Sequence, residues 1–403
     1  MPGPALTPAS RAAEFRSGAL LLATATLGCG LGASSIVYYS FGVFVAPLQE
    51  AFQWTRGEVS STLIFGSLGI IVVAPLLGWL IDRFGPRAVA LRAVPAFAAM
   101  LFALSRFDAG LAAFYGLFFL TTLVGSGTTP ILYTRAVTGH YRAGRGLALG
   151  ITLTGPGTAA ILMPPFMTAV IAEHGWRSGF LLLAGLALLP FPLIALAMDR
   201  PGPETDDTPP LGGMAPRDAF RSRGFWTIVF GFGAVSLGCS ALVVHLVPLL
   251  RDAGLTGTAA AGIASMVGIG VVLGRLGIGW AIDRYFAPHV ATLIFTVAAA
   301  GCLLLQLGGL SQARVAAFLV GFALGAEVDL LAYLTSRYFG LRHYGMIYAV
   351  IYACFWAGMA LGPACAGLLF DRDGNYHVAL WLIIASLLTG ALMAATLPRF
   401  PPD

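Results

Sequence analysis

Apolar residues run along the chain in long, nearly continuous stretches that short polar segments separate. A helix of about 20 apolar residues crosses the core of a bilayer, and twelve stretches approach or exceed that length. Glycine and proline occur inside them, as membrane helices tolerate where neighbours satisfy the backbone. The pattern therefore predicts twelve transmembrane helices, at residues 17–46, 59–82, 89–106, 110–136, 146–172, 177–198, 225–251, 257–282, 289–309, 314–337, 343–370 and 377–397.

The composition also indicates a membrane protein that crosses the bilayer many times. Of the 403 residues, 58% are hydrophobic and 10% are charged, whereas soluble domains contain about 25% charged residues. The longest polar stretch is rich in proline, glycine and aspartate and is typical of a linker. We therefore expect an amino-terminal six-helix bundle (1–198), a cytoplasmic linker (199–223) and a carboxy-terminal six-helix bundle (224–403).

The basic residues, all of which are arginine, predict the orientation in the membrane. With the amino terminus in the cytoplasm, sixteen of the 23 arginines lie on or near cytoplasmic segments and six lie on or near outer segments. Because positive charge concentrates in cytoplasmic loops, both termini are expected inside, in the cell's inner (plasma) membrane. The net charge of +5 is explained by these loops, and no nucleic-acid partner is expected.

The two halves of the chain share a sequence repeat. Residues 78–87 read GWLIDRFGPR and residues 279–288 read GWAIDRYFAP, an offset of 201 residues. A parallel repeat of two six-helix halves is typical of major facilitator transporters, and the segment resembles their motif between helices 2 and 3, G-x-L-x-D-R-x-G-R. The resemblance implies the all-α major facilitator fold and a cytoplasmic gate formed by Gly78, Asp82, Arg83, Gly85, Arg87, Asp283 and Arg284.

One arginine, Arg275, lies inside a hydrophobic run. Its guanidinium group stays charged, and a charge near the bilayer centre costs about 3 kcal/mol or more unless a partner, water or ligand compensates it. The corresponding position of the first half, 201 residues earlier, is Ala74. Arg275 therefore indicates a polar cavity that favours an organic anion, and the alternative is a structural pair with a nearby acid.

Three other ionisable residues lie within hydrophobic runs: Asp329, Glu327 and His245. Arg275 and Asp329 each lie eight residues before a charged residue at the inner end of their helix, or ~12 Å, so we expect them at one depth. Asp329 and Glu327 face opposite sides of a helix, which favours the cavity for Asp329 and another helix for Glu327. All three are candidates for proton coupling. The alternatives are a permanent counter-ion for Asp329 and interhelical hydrogen bonds for Glu327 and His245.

Residues 140–157, HYRAGRGLALGITLTGPG, are similar to the monocarboxylate transporter pattern Y-F-x-K-R-R-x-L-A-x-G. That family and the oxalate/formate exchangers share an arginine in helix 8 that binds the substrate carboxylate, and the resemblance implies this role for Arg275. The opening motif and the lysine of the family's helix 1 are absent here, and its helix-8 aspartate is replaced by Val271. The resemblance therefore supports an anion transporter with a different proton route.

Tyrosines on helices 1 and 11 are candidate substrate contacts. These helices line the cavity of facilitator proteins, and a tyrosine hydroxyl can complete carboxylate binding beside an arginine. The alternative for each is packing against lipid or a neighbouring helix. The candidates are Tyr38, Tyr39 and Tyr352.

Glycine–proline pairs occur at related places in helices 5 and 11, at Gly155-Pro156 and Gly362-Pro363. They resemble part of the facilitator motif of helix 5. Glycine and proline kink or thin a helix, so we expect hinges that allow the two halves to rock during transport.

Together these features predict a secondary active transporter of a small organic anion that works by alternating access. One fixed cation balances one carboxylate, which favours a monocarboxylate of the lactate or pyruvate type. Proton coupling would follow if Asp329 or Glu327 takes up a proton and frees Arg275 for the anion. An organic-anion exchanger, a drug or amphiphile exporter and a transport-inactive sensor remain alternatives. The sequence contains no HExxH, GxSxG or nucleotide-binding motif, and its five cysteines lack metal-site spacing, so no enzyme activity, cofactor or metal site is expected.

Overall fold

In the computed structural model, which describes residues 8–54, 56–198 and 212–401, the chain is almost entirely helical. Ten segments within these ranges are long and apolar enough to cross a membrane. Two of them, Ser61–Ser105 and Ala287–Phe339, contain 45 and 53 residues, which is about twice the length of one crossing. Each is divided by a glycine with positive φ, Gly85 or Gly309. The ten segments are therefore consistent with the twelve crossings that the hydrophobic pattern predicts, and the exact count of twelve stays a prediction.

The helices begin and end close to the predicted apolar runs. α4 and α7 each contain a break at a glycine with a φ of 78°, Gly85 and Gly175. In chain order the helices are α1 (Pro8–Ser17), α2 (Ala19–Gly30), α3 (Tyr38–Phe52), α4 (Arg56–Ser105), α5 (Leu111–Gly125), α6 (Pro130–His140), α7 (Arg145–Leu188), α8 (Pro190–Ala197), α9 (Pro216–Arg221), α10 (Arg223–Asp252), α11 (Gly257–Ile282), α12 (Ala287–Gly308), α13 (Ala313–Phe339), α14 (Tyr344–Asp373) and α15 (His377–Ala395).

Internal contacts divide the chain into two compact units. The first contains Met1–Gly213 and Gly340–Val350, and the second contains Met214–Phe339 and Ile351–Asp403. Residues 199–211 of the predicted linker lie outside the described residues. The rest of that linker contains the short helix α9 and an antiparallel bridge between Gly213 and Gly340.

The first unit interrupts two of its membrane crossings. A π-helical turn, Ala33–Val37, separates α2 from α3, and a 3₁₀ turn, Ser126–Thr128, separates α5 from α6. α6 begins at Pro130. Proline lacks a backbone N–H, and at the first position of a helix that N–H would have no partner within the helix, so its absence has no cost. The two interruptions meet, because the Ala33 N–H donates a hydrogen bond to the Thr128 hydroxyl at 2.9 Å. A side chain therefore satisfies a backbone group that the irregular turn leaves without a helical partner.

The second unit has no such interruption within α10, α11 and α13. α13 packs against α10, α11 and α12, and α15 packs against α10 and α12. The candidate polar residues of the second half therefore project from regular helices, whose backbone groups are already hydrogen-bonded within each helix.

Candidate functional site

Helices α11 and α13 approach each other closely along a seam of glycines. Gly270 and Gly274 lie four residues apart on α11, and Gly321 and Gly325 lie four residues apart on α13. A Cβ atom at any of these positions would collide with the main chain of the facing helix. Small residues at this spacing allow membrane helices to pack backbone to backbone. The seam thereby places the adjoining turns of the two helices side by side.

Arg275 and Asp329 lie on these adjoining turns. The Arg275 Nη1 atom is 3.6 Å from the Asp329 Oδ1 atom, which confirms the expectation that they lie at one depth. Asp329 is fully buried and Arg275 is 7% exposed. The separation is too long for a hydrogen bond. The Asp329 oxygens and the Arg275 Nε and Nη1 atoms have no hydrogen-bond partner among the described residues, so the attraction between the two side chains is electrostatic and these four atoms form no hydrogen bond there.

Glu327 lies on the other side of α13, as expected, and contacts a different helix. It is fully buried, and the thiol of Cys239 on α10 lies next to its carboxyl group. Cys302 on α12 is also buried and lies near Cys239. This contact was not predicted from the sequence, because an apolar run contains no signal for which residue of one helix meets a given residue of another.

The buried cluster therefore contains one cation, Arg275, and two carboxyl groups, Asp329 and Glu327. Among the described residues, no group of three or more His, Cys, Asp or Glu side chains could hold a metal ion. Buried charges need a partner, and one guanidinium can balance one carboxylate. The arrangement can accept an external anion at Arg275 if the negative charge of the protein's own acids is reduced at the same time.

His245 connects three parts of the second unit. Its Nε2 atom lies 3.0 Å from the Pro363 carbonyl oxygen and its Nδ1 atom lies 3.1 Å from the Tyr376 hydroxyl. Because a carbonyl only accepts, Nε2 carries the hydrogen and donates it. His245 therefore ties α10 to α14 and to the residue before α15, as the hydrogen-bonding alternative proposed. Its role in proton coupling stays a prediction.

The three candidate tyrosines have different surroundings. The Tyr38 hydroxyl lies 3.0 Å from the Ser67 hydroxyl, which itself donates to the Leu63 carbonyl, so Tyr38 donates to Ser67. Tyr39 is 42% exposed. Tyr352 is buried and stacks on Phe355, with ring centroids 5.8 Å apart. Their contact with substrate stays a prediction.

The gate motif contacts the beginning of α14, within the first unit. The Asp82 carboxylate accepts hydrogen bonds from the backbone N–H groups of Gly345 and Met346, both at 2.8 Å. Gly78 lies so close to Gly345 that a Cβ would collide with the backbone there. A carboxylate is favourable at the amino end of a helix because the free N–H groups and the helix dipole are positive. Asp82 thus fixes the first turn of α14.

One arginine of the gate motif and one arginine of its second copy each pack over a nearby tryptophan ring. Arg83 lies over the Trp79 ring at 5.1 Å, and Arg284 lies over the Trp280 ring at 4.2 Å. The two contacts are repeat-related, since the tryptophans are 201 residues apart. Arg87 instead donates to the Ala195 carbonyl at 2.7 Å. Asp283 follows the last residue of α11.

The predicted hinges lie where helices cross closely. A Cβ at Gly155 would collide with the Thr26 carbonyl on α2, and a Cβ at Gly362 would collide with the Leu237 carbonyl on α10. Both α7 and α14 remain helical through Pro156 and Pro363. The glycines therefore allow close packing, while a hinge motion at these positions stays a prediction.

One contact near residues 140–157 was not predicted from the sequence. The Glu14 carboxylate accepts hydrogen bonds from the backbone N–H groups of Arg142, Ala143 and Gly144, at 3.0–3.2 Å. These groups immediately precede α7. A glutamate on the helix before the first crossing gives no sequence signal of such distant partners. It anchors α1 to the loop between the fourth and fifth crossings.

Residues 27–351 match the model of the Major Facilitator Superfamily. The chain is 29% identical over 380 residues to monocarboxylate transporter 13 of Rattus norvegicus, an alignment that covers 90% of this chain and 85% of that protein. It is 26% identical over 304 residues to monocarboxylate transporter 11 of Mus musculus, covering 70% of this chain and 67% of the relative.

Solved structures share the fold at much lower identity. The E. coli fucose:proton symporter superposes with a TM-score of 0.75 at 15% identity, covering 96% of this chain and 99% of that one. The human organic anion transporter MFSD10 superposes with a TM-score of 0.71 at 14% identity, covering 96% of this chain and 100% of the other. At these identities the likeness concerns the fold alone.

Proposed function

Because the chain belongs to the Major Facilitator Superfamily, we propose that it is a secondary active transporter of small monocarboxylates that works by alternating access. The proposal includes a location in the plasma membrane, with both termini in the cytoplasm, and protons as the coupled ion. The names of two relatives, monocarboxylate transporters 13 and 11, support this substrate class. The buried cluster of the second half supports it independently.

The observation that carries the proposal is the loose pairing of Arg275 with Asp329. At 3.6 Å the two side chains attract each other, yet Arg275 Nε and Nη1 donate to no described residue. A guanidinium group binds a carboxylate best through two parallel hydrogen bonds. A substrate carboxylate that binds Arg275 through two parallel hydrogen bonds would use N–H groups that Asp329 does not bind. The substrate would then replace Asp329 as the partner of Arg275.

Proton coupling follows from this exchange of partners. When an anion takes Arg275, Asp329 would remain as a buried carboxylate without its counter-ion, which is strongly unfavourable. Uptake of one proton by Asp329 removes that charge. Each anion therefore enters with one proton, and the cluster keeps the same net charge with and without substrate.

The site favours one carboxylate over two. Arg275 is the single basic residue within the apolar run 257–282, and its repeat-related position is Ala74. A dicarboxylate would bring a second negative charge that this cluster does not balance. We therefore expect acids of the lactate or pyruvate type to bind and dicarboxylates to compete poorly.

Transport of labelled L-lactate into proteoliposomes tests the proposal. We expect saturable uptake by the wild type, none by Arg275→Ala, and weak uptake by Arg275→Lys, because a point charge replaces the planar fork. Arg314→Ala is the matched control, since Arg314 is exposed near the start of α13, and it should transport normally. The flux into protein-free liposomes is subtracted. Saturable uptake that Arg275→Ala leaves unchanged would contradict the proposal.

A binding measurement extends the test to other acids. Thermal unfolding of the purified protein is followed with a panel of small mono- and dicarboxylates. An acid at about 100 times its Kd should stabilise the wild type by about 2.7 kcal/mol and should leave Arg275→Ala unchanged. Stabilisation of both variants by the same acid would place binding elsewhere.

A further inference from the structure

The carboxyl group of Glu327 takes no part in the proposed exchange of partners at Arg275, yet it is fully buried in the same cluster. Neither of its oxygens has a hydrogen-bonding nitrogen or oxygen partner in the described chain. A charged acid is therefore poorly supported here, since a buried carboxylate requires several donors or a cation. The thiol of Cys239 is the polar group beside it, and a thiol is a weak donor.

The ionisable surroundings of Glu327 come from the three helices that pack against α13. α10 contributes Cys239, α11 contributes Arg275, and α12 contributes Cys302, which lies near Cys239 rather than beside the carboxyl group. α13 itself contributes Asp329, and the 3₁₀ turn after α12 contains no ionisable residue. Arg275 is therefore the one cation facing Glu327 among the described residues, and it is already paired with Asp329 at 3.6 Å.

The protonation state of Glu327 sets the net charge that an incoming anion meets. With Glu327 protonated, the cluster of Arg275 and Asp329 is neutral, and an anion that arrives with one proton leaves it neutral. With Glu327 ionised, the cluster is already negative before the anion arrives. Like charges interact strongly in a poorly solvated interior, so the second state opposes anion binding at Arg275.

We infer that Glu327 is a permissive proton switch: the site accepts an anion while Glu327 carries a proton and closes to anions when that proton is lost at alkaline pH. Burial opposes the ionised form of Glu327, and the weak thiol donor of Cys239 offsets this only slightly. A change of donor at Cys239 should therefore shift the pH at which the proton is lost. The inference rests on the proposed function in one respect, which is that the anion binds at Arg275. In this inference Glu327 regulates whether an anion can bind, and Asp329 takes up the proton that is transported with the anion.

The test measures exchange of labelled L-lactate across proteoliposomes that have the same pH on both sides, so that no gradient contributes. If binding requires protons on both Asp329 and Glu327, the apparent KM of the wild type at alkaline pH should rise by up to about a hundredfold per pH unit. In Glu327→Gln the apparent KM should rise by only about tenfold per pH unit, because one of the two linked protons is removed. An equal slope in the two proteins would overturn the inference.

A pair of substitutions at Cys239 provides a second measurement that does not alter Glu327. Cys239→Ser supplies a stronger donor, stabilises the ionised carboxyl group, and should move the alkaline rise in KM to lower pH. Cys239→Val removes the donor and should move the rise to higher pH. The same onset in both variants would overturn the inference, because a change of donor beside Glu327 must shift the pH at which its carboxyl group ionises. This comparison decides the matter if Glu327→Gln does not fold.

Arg275→Ala separates the two proposals. If it retains normal saturable exchange, the anion does not bind at Arg275 and the proposed function fails. If it abolishes exchange while Glu327→Gln keeps the wild-type slope, the proposed function stands and the switch alone is wrong.

Discussion

The two halves of the chain bury polar groups in opposite ways. The first half interrupts its helices at Ala33–Val37 and Ser126–Thr128 and satisfies the freed Ala33 N–H with the Thr128 hydroxyl. The second half keeps α10, α11 and α13 regular and places charged side chains between them. In the first half, a neutral hydroxyl satisfies the backbone of an interrupted helix. In the second half, the buried polar groups are charged side chains between regular helices.

Repeat-related positions make this difference specific. Ala74 lies 201 residues before Arg275, which is the offset of the repeated motif. A duplicated scaffold thus carries an apolar residue in one copy and a charged residue in the other. A scaffold requirement would be expected in both copies, so the asymmetry supports the proposed role of Arg275 in binding.

The largest effect is expected from Asp329→Asn, which removes from the charged half the carboxyl group proposed to take up the coupled proton. With one proton per anion, an inward gradient of about one pH unit drives about tenfold accumulation of lactate in the wild type. In Asp329→Asn the accumulation ratio should fall to about one, because no group takes up the proton. Exchange without a gradient should persist, and retained accumulation would show that the coupling group lies elsewhere.

A substantial loss of stability is expected from Gly325→Leu, because its side chain would enter the backbone of α11 at Val271. Overpacking of this kind costs about 3 kcal/mol and should lower the midpoint of thermal unfolding. Gly268→Leu is the matched control, since Gly268 on α11 faces open space. Equal midpoints for the two variants would contradict the close approach of α11 and α13.

A smaller loss is expected from Asp82→Asn in the first half. Its carboxylate accepts two N–H groups at the beginning of α14, and loss of a charged acceptor at a helix amino end costs about 1–2 kcal/mol. Asp108→Asn should be close to neutral, because Asp108 is highly exposed and its ion pair with Arg177 is 3.7 Å long. Thermal unfolding of both variants makes the comparison.

The smallest effect is expected from Thr128→Val, which leaves the buried Ala33 N–H without its acceptor. The cost should be about 1 kcal/mol, and lactate uptake should keep its wild-type KM because no charge has changed. Thr128→Ser keeps the hydroxyl and should unfold like the wild type. A large change in KM with Thr128→Val would show that the first half also contributes to the proposed site.

Much of the fold could be predicted from the sequence, because the bilayer imposes a simple length rule on apolar runs. The same regularity predicted the shared depth of Arg275 and Asp329, since the rise per residue in a helix is constant and both residues lie eight positions from a charged helix end. The spacing Gly270-x₃-Gly274 opposite Gly321-x₃-Gly325 was a further signal for their contact, and the sequence analysis did not use it.

The remaining parts of the site depend on how each helix is rotated and on contacts between distant segments. The neighbour of Glu327 on α10 is Cys239 rather than another residue of that apolar helix, and hydrophobic pattern alone does not distinguish the faces of a helix buried all round. The contact of Glu14 with Arg142–Gly144 joins segments that are about 130 residues apart. No local pattern encodes such a pairing.

The glycine seam also constrains how the protein could work. A Cβ atom at the seam would already collide with the facing main chain, so α11 and α13 have little room to approach each other further. We therefore expect Arg275 and Asp329 to move together as one rigid unit. Release of Arg275 from Asp329 is then a competition between ligands on a fixed frame, and labels on the two helices should report the same separation whether or not an acid is bound.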